Sequence, residues 1–167
     1  MTKSSKTPEL SAYVDADYAG DEDARKSTTG YIFYYGNCPV SWSATLQPVV
    51  ATSSTYAEYI ALASAAQECA FLRAIVNDMG SRATGPTLLR EDNQGAIFLS
   101  NNPAFHKRSK HIDVRFHYIR EQVDNKSIKL EYVNTADNTA DILTKQLPVG
   151  PFKSHRSKLM GHPVNAQ

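Results

Sequence analysis

Three short β-forming runs followed by one long helical stretch constrain this chain more than any other feature. Leu10 to Tyr18 alternates apolar with polar or aromatic residues, as a half-buried strand does. Gly30 to Gly36 is rich in aromatics and β-formers between glycines, and Val40 to Ala44 opens a third strand after the Asn37-Cys38-Pro39 turn. The three predict an antiparallel meander. The capping cluster Thr52-Ser53-Ser54-Thr55 then opens a helix from about Thr55 to Met79, closed by Gly80. A helix of that length carries the chain back across the sheet. A fourth strand, Pro86 to Asp92, can then pair in parallel with the first. Further on the pattern predicts a short helix from Gln94 to Leu99, a basic amphipathic helix from Lys107 to Val123 and a fifth strand from Ser127 to Val133. A short helix from Asp137 to Gln146, stopped by Pro148, and a basic tail from Pro151 complete the chain. The order β-β-β-α-β-α-α-β-α is that of an α/β protein with a mixed five-stranded sheet and helices packed on it. No internal repeat or low-complexity linker interrupts it.

With 167 residues, 41% of them hydrophobic, the chain is one domain's worth and long enough to bury a real core. The polar start Met1-Thr2-Lys3-Ser4-Ser5 is not a secretory signal, and no apolar run approaches the length of a bilayer span. Two cysteines, Cys38 and Cys69, are too few for a disulfide framework or a cysteine metal site, and suit a reducing compartment. Charge is divided unevenly. Residues 1–102 carry 7 Lys/Arg against 11 Asp/Glu; residues 103–167 carry 11 against 6 and hold all five histidines. An acidic half beside a basic half suits a site that holds cations and a polyanion together.

Four acids fall at structural joints. Asp15 lies inside the first strand, among positions that are usually buried, and Asp17 shares its face. Glu58 heads the helix stripe Leu62, Ala66, Cys69, Leu72, Val76 and Met79, which aims it at the sheet edge; Thr55-Tyr56-Ala57-Glu58 also has the T-x-x-E form of a capping box. Asp92 ends the fourth strand, where it can equally serve as a helix N-cap. Asp141 sits in the first turns of the last helix, where it also suits the helix dipole. Taken together, the first and fourth strands set Asp15 beside Asp92, and the crossover helix brings Glu58 over the same point. Clustered carboxylates repel unless cations hold them, and hard oxygen ligands select Mg²⁺ or Mn²⁺.

At these residues the chain resembles the ribonuclease H domain of copia-type LTR retrotransposon Pol polyproteins. The motifs are Tyr13 to Gly20, Lys26 to Tyr31, Ser41-Trp42, Ser53 to Leu62, Asp92 to Ile97, Lys110 to His117, and Ala140 to Lys145, in the family's order and spacing over roughly residues 10–161. The resemblance implies a ribonuclease H-like domain over residues 10–148, after a disordered leader at 1–9 and before a basic C-terminal helix or tail at 149–167. It implies a catalytic, metal-holding tetrad of Asp15, Glu58, Asp92 and Asp141 and two Mg²⁺ ions, with Mn²⁺ able to substitute. The implied activity is hydrolysis of the RNA strand of an RNA–DNA hybrid to 5′-phosphate products during reverse transcription. The implied partners are the hybrid and the reverse transcriptase domain of the same polyprotein, in a cytoplasmic virus-like particle.

Two departures from the pattern stand out. Tyr56 replaces a second Glu usual in the family, and the stretch from Tyr132 to Asp141 lacks the loop histidine of many cellular ribonucleases H. For substrate binding, Ser54, Thr55, Asn93 and Gln94 flank the acids with groups able to reach 2′-hydroxyls. Lys107, Arg108, Lys110, His111, Arg115 and Arg120 offer charge to the DNA phosphates, or else form a solvated helix face. Three other readings stay open. One is another nuclease of the same superfamily. The second is a catalytically silent hybrid-binding or structural module. The third is a fragment whose reverse transcriptase supplies most of the affinity, with which a Met1 start before motifs from the middle of a polyprotein is consistent.

Overall fold

The computed structural model describes residues 8–81, 85–102 and 110–160, with the side chains of residues 110–114 and 116 outside the description. Strands β1 (Leu10–Asp17), β2 (Thr28–Tyr35) and β3 (Cys38–Leu46) lead into helix α1 (Ser54–Asp78). Strand β4 (Thr87–Glu91) follows, then α2 (Gln94–Asn101), α3 (Lys110–Asp124), β5 (Ile128–Tyr132), α4 (Asp141–Thr144) and α5 (Val149–Leu159). The sheet runs β3-β2-β1-β4-β5. β1 pairs antiparallel with β2 and parallel with β4, so the first strand becomes the centre of the sheet. β5 extends it in parallel on β4. The mixed sheet expected from the element order is the one found.

The position of α1 follows from its cap and its alanines. Ser53 is the N-cap, its hydroxyl accepting the Tyr56 amide at 3.1 Å. The capping box that Thr55 and Glu58 offered as an alternative does not form, because Thr55 already lies inside the helix, and Glu58 turns inward instead. Ala57, Ala61, Ala65 and Ala66 are buried with Leu62 and Cys69, and their small side chains let the helix lie close over Ala12, Val14 and Phe33 of the sheet. The apolar stripe stops before Met79, which is 70% exposed, against the sequence expectation. A second correction concerns the membrane. By length and composition alone α1 could cross a bilayer, contrary to the reading that no run approached that length. Half of its apolar window is buried inside the protein, as in a core helix.

The helix expected over 137–146 is broken in two. A 3₁₀ turn covers Thr135–Asp137, and α4 starts only at Asp141. Asn138 stands between them and is fully buried. Its amide donates to the Val14 carbonyl at 2.8 Å while its Oδ1 accepts the Ala140 N–H at 3.2 Å. A side chain that bonds the backbone on both sides replaces the helical ladder there and ties the loop to β1.

Candidate active site

Parallel pairing of β1 with β4 aligns Tyr13 with Arg90, so two residues further on Asp15 comes level with Asp92. Helix α1 begins above that point and sets Glu58 against β1, near enough for the Ala16 backbone N–H to favour its charged form. One oxygen from each of Asp15, Glu58 and Asp92 lies within 4.8 Å of the other two. Asp15 is 1% exposed and Glu58 7%, while Asp92 is half-buried at the mouth. Asp92 does not cap α2; Asn93 does, its Oδ1 accepting the Ala96 amide at 3.0 Å, which leaves the Asp92 carboxylate without that duty.

Asp141 is outside that group of three and meets Asp15 from the side of α4. Two neighbours hold it there. Lys145 Nζ lies 3.1 Å from Asp141 Oδ1 and 3.7 Å from Asp15 Oδ2, and Thr144 Oγ1 donates to Asp15 Oδ2. The close approach of α4 to β2 requires Gly30, since a Cβ there would collide with Thr144 Cγ2 and press on Leu143. The motif Lys26 to Tyr31 is thereby accounted for in part by the packing of the Asp141 helix.

So many buried acids raise one another's proton affinity. Burial pushes Asp15 up to about 7; Asp141 and Asp92 add to this, while Thr144 and Lys145 oppose it. Burial and then the charges of Asp15 and Asp92 push Glu58 up to about 9. Glu91, absent from the sequence reading, is fully buried on the same side of β4 as Thr87 and Leu89. Its Oε1 accepts the Asn93 amide at 3.1 Å, its Oε2 has no partner, and burial with Glu58 nearby holds it well above the ordinary carboxyl range. Alternation along Thr87-Leu88-Leu89-Arg90-Glu91 is the signal that could have found it. Thr144 and Lys145 were within a recognised motif but carried no assigned role. Glu58 Oε2 likewise lacks a hydrogen-bond partner. Oxygen donors only, crowded, buried and partly unpartnered, form a set that suits a hard divalent cation such as Mg²⁺.

The flanking residues fall into two groups. Ser54 and Thr55 begin α1, and Asn93 and Gln94 lie at the start of α2; Thr55 Oγ1 reaches Asn93 Oδ1 at 3.5 Å, so the two helix starts meet beside Glu58 and Asp92. Gly95 permits this approach, as a Cβ there would stand 3.1 Å from Thr55 Oγ1. The basic helix is less complete. Lys107 and Arg108 lie outside the described residues, and for Lys110 and His111 only the backbone is described, at the start of α3. Two of its cations do not stand on a solvated face. Arg120 is half-buried and acts on the buried Tyr59, and Arg115 lines a cavity of about 410 Å³ with Tyr31, Gln67 and Glu68. His117 is exposed on α3.

No family model matches the chain. The chain is 43% identical over 157 residues to the retrovirus-related Pol polyprotein from transposon RE1 of Arabidopsis thaliana, and 44% identical over 146 residues to that from transposon TNT 1-94 of Nicotiana tabacum. These matches take in 94% and 87% of the chain and span 11% of each polyprotein. Among solved structures it is similar to LC11-RNase H1, determined in complex with an RNA/DNA hybrid. That likeness has a TM-score of 0.57 and 14% identity, and covers 81% of this chain and 94% of the other.

Proposed function

Because the chain is a homologue of one segment of copia-type plant retrotransposon Pol polyproteins and carries the ribonuclease H fold, we propose that it is a nuclease that hydrolyses the RNA strand of RNA–DNA hybrids. The observation that carries this reading is the meeting of Asp15, Glu58 and Asp92 within 4.8 Å, with Asp141 against Asp15. In this reading Asp15, Glu58 and Asp92 would hold one divalent ion, and Asp15 with Asp141 would hold another. Two bound Mg²⁺ ions supply the Lewis acidity that favours attack on the phosphodiester and departure of the 3′ oxygen. Water adds to phosphorus, the P–O3′ bond breaks, and the products carry a 5′ phosphate and a 3′ hydroxyl.

The chain's own residues do the positioning. Asn138 ties the loop before Asp141 to β1, and Thr144 ties α4 to Asp15. Ser54, Thr55, Asn93 and Gln94, at the paired helix starts, offer hydroxyl and amide groups to 2′-hydroxyls across the minor groove, where hybrid differs from DNA. Lys107, Arg108, Lys110 and His111 are proposed to carry phosphate contacts, and the reverse transcriptase of the same polyprotein to share the substrate, inside the cytoplasmic particle.

The test is cleavage of hybrid labelled on the RNA strand, with Mg²⁺, with Mn²⁺ and with chelator. Metal-dependent cleavage of hybrid but not of DNA duplex, leaving 5′-phosphate ends, is expected. Binding without cleavage in either metal would leave only a silent hybrid-binding module, and equal cleavage of duplex DNA would make the chain a different nuclease of the superfamily.

A further inference from the structure

Among the described residues Lys145 is the one cation placed among the acids, and the proposed function leaves it unused. Its Nζ lies between two carboxylates, 3.1 Å from Asp141 Oδ1 and 3.7 Å from Asp15 Oδ2. It follows the last residue of α4, and its side chain turns back one helical turn to reach Asp141. Thr144, the residue before it, donates to the same Asp15 oxygen. The Lys145 side chain is 32% exposed, whereas those of Asp15 and Asp141 are buried.

A divalent ion bridging Asp15 and Asp141 needs the same oxygens that Lys145 engages. Among the described residues no Lys or Arg forms an ion pair with Glu58 or Asp92, so no such conflict is seen at that end. We infer that Lys145 is a resident cation that holds the Asp15–Asp141 end of the site and must be displaced before a divalent ion binds there. The inference rests on the metal-holding reading of the acids and adds an order to it. The Asp15/Glu58/Asp92 end fills first and tightly; the Asp15/Asp141 end fills second and weakly, at the cost of Lys145 swinging out. Removing the ammonium abolishes both the competition for the oxygens and the repulsion felt by the incoming ion, and the two effects share a sign.

Mn²⁺ binding to the full chain, followed by electron paramagnetic resonance of the free ion, tests this without reference to activity. The wild-type chain should take up one Mn²⁺ tightly and a second at least tenfold more weakly. Lys145→Met should bind the second ion about tenfold tighter and leave the first nearly unchanged. Lys145→Arg should bind the second ion more weakly than wild type, because a guanidinium grips carboxylates through two parallel hydrogen bonds. The arginine variant keeps the test decisive even where the methionine variant does not fold. Asp92→Asn separates the two layers of the inference. If the wild-type chain takes up Mn²⁺ in a way that Asp92→Asn weakens, but neither lysine variant moves the second step in the stated direction, Lys145 is no gate and only that inference falls. If wild-type uptake is absent or indifferent to Asp92→Asn, the metal-holding reading fails and the role of Lys145 fails with it.

Discussion

Asp15, Glu58 and Asp92 stand on β1, on α1 and at the end of β4, whereas Asp141 stands on a helix of four residues. The first three inherit their places from long elements with buried faces: β1 between two partner strands, α1 laid over the sheet through its alanines. Asp141 inherits its place from single contacts. Asn138 bonds the Val14 carbonyl, Thr144 bonds Asp15, Lys145 pairs with both acids, and Gly30 leaves the space. One side of the site is fixed by packing area, which no single substitution removes. The other is fixed by a few polar bonds, each of which one substitution removes. The rigid side is therefore the better place to bind an ion tightly, and the lightly held side the better place to exchange one.

The largest expected effect comes from breaking the rigid side chemically while sparing it structurally. Asp92→Asn should cut Mg²⁺-dependent cleavage of hybrid by more than about a hundredfold, since even outer-shell partners of metal ligands are worth roughly 10- to 100-fold. Its melting temperature should not fall, because Asn93 and not Asp92 caps α2. Cleavage near the wild-type rate would remove Asp92 from the site. Next in size is Gly30→Ala, which strikes the other side. The added methyl meets Thr144 and Leu143 with no room to spare, and overpacking of this kind costs about 1–3 kcal/mol. Urea unfolding should show that loss, and Mn²⁺ binding should lose the weaker step while keeping the tighter one. If both steps persist unchanged, α4 is not held by its fit against β2.

Asn138→Ala probes the same side more gently. It leaves the Val14 carbonyl buried without its donor, a loss of about 1–3 kcal/mol. Denaturant midpoints should shift accordingly, and cleavage should fall less than in Asp92→Asn, because Lys145 and Thr144 still tie α4 to Asp15. Cleavage lost as fully as in Asp92→Asn would mean that the α4 side hangs on Asn138 alone.

The same contrast explains what the amino-acid sequence made legible. Period-2 alternation in Leu10 to Tyr18 and the long helical stretch before Gly80 record burial against many neighbours, so β1, α1 and the meeting of Asp15, Glu58 and Asp92 follow from the pattern. α4 was misread as part of a longer helix because Asn138 acts through tertiary bonds to β1, 124 residues away in sequence, which no local period reports. Lys145 and Thr144 were invisible for the same reason. Glu91 escapes the sequence although the fourth strand is read through it, because alternation says that Glu91 shares a face with Thr87 and Leu89 but not that this face is the buried one. For Arg115 and Arg120 the spacing says only that they share a helix, not which side that helix buries.

The smallest effect expected is also the one with the most diagnostic sign. Burial raises Asp15 to about 7 from an ordinary 3.8, and raises Glu58 to about 9 from 4.5. An acid with a raised value keeps its proton in the folded chain over a range where the unfolded chain has lost it. The folded state then binds more protons than the unfolded state, so stability falls as pH rises. For these two groups the fall begins near their unfolded values, about 4 to 4.5, and runs through about 9. Without divalent ions the protein should therefore melt at a lower temperature at pH 9 than at pH 5.5. Saturating Mg²⁺ should reduce or reverse that difference, because the ion favours the charged carboxylates. Glu58→Gln should raise the metal-free melting temperature at pH 8.5 by a few degrees and flatten the pH dependence. The amide cannot ionise, and it brings a donor among the acids. The same variant should lose the stabilisation by Mg²⁺ that wild type shows. A Glu58→Gln variant that melts lower than wild type at pH 8.5 without metal would mean that the Glu58 charge is already compensated in the folded chain. Lys145, whose charge acts on Glu58, would then be holding the rigid side of the site as well as the lightly held one.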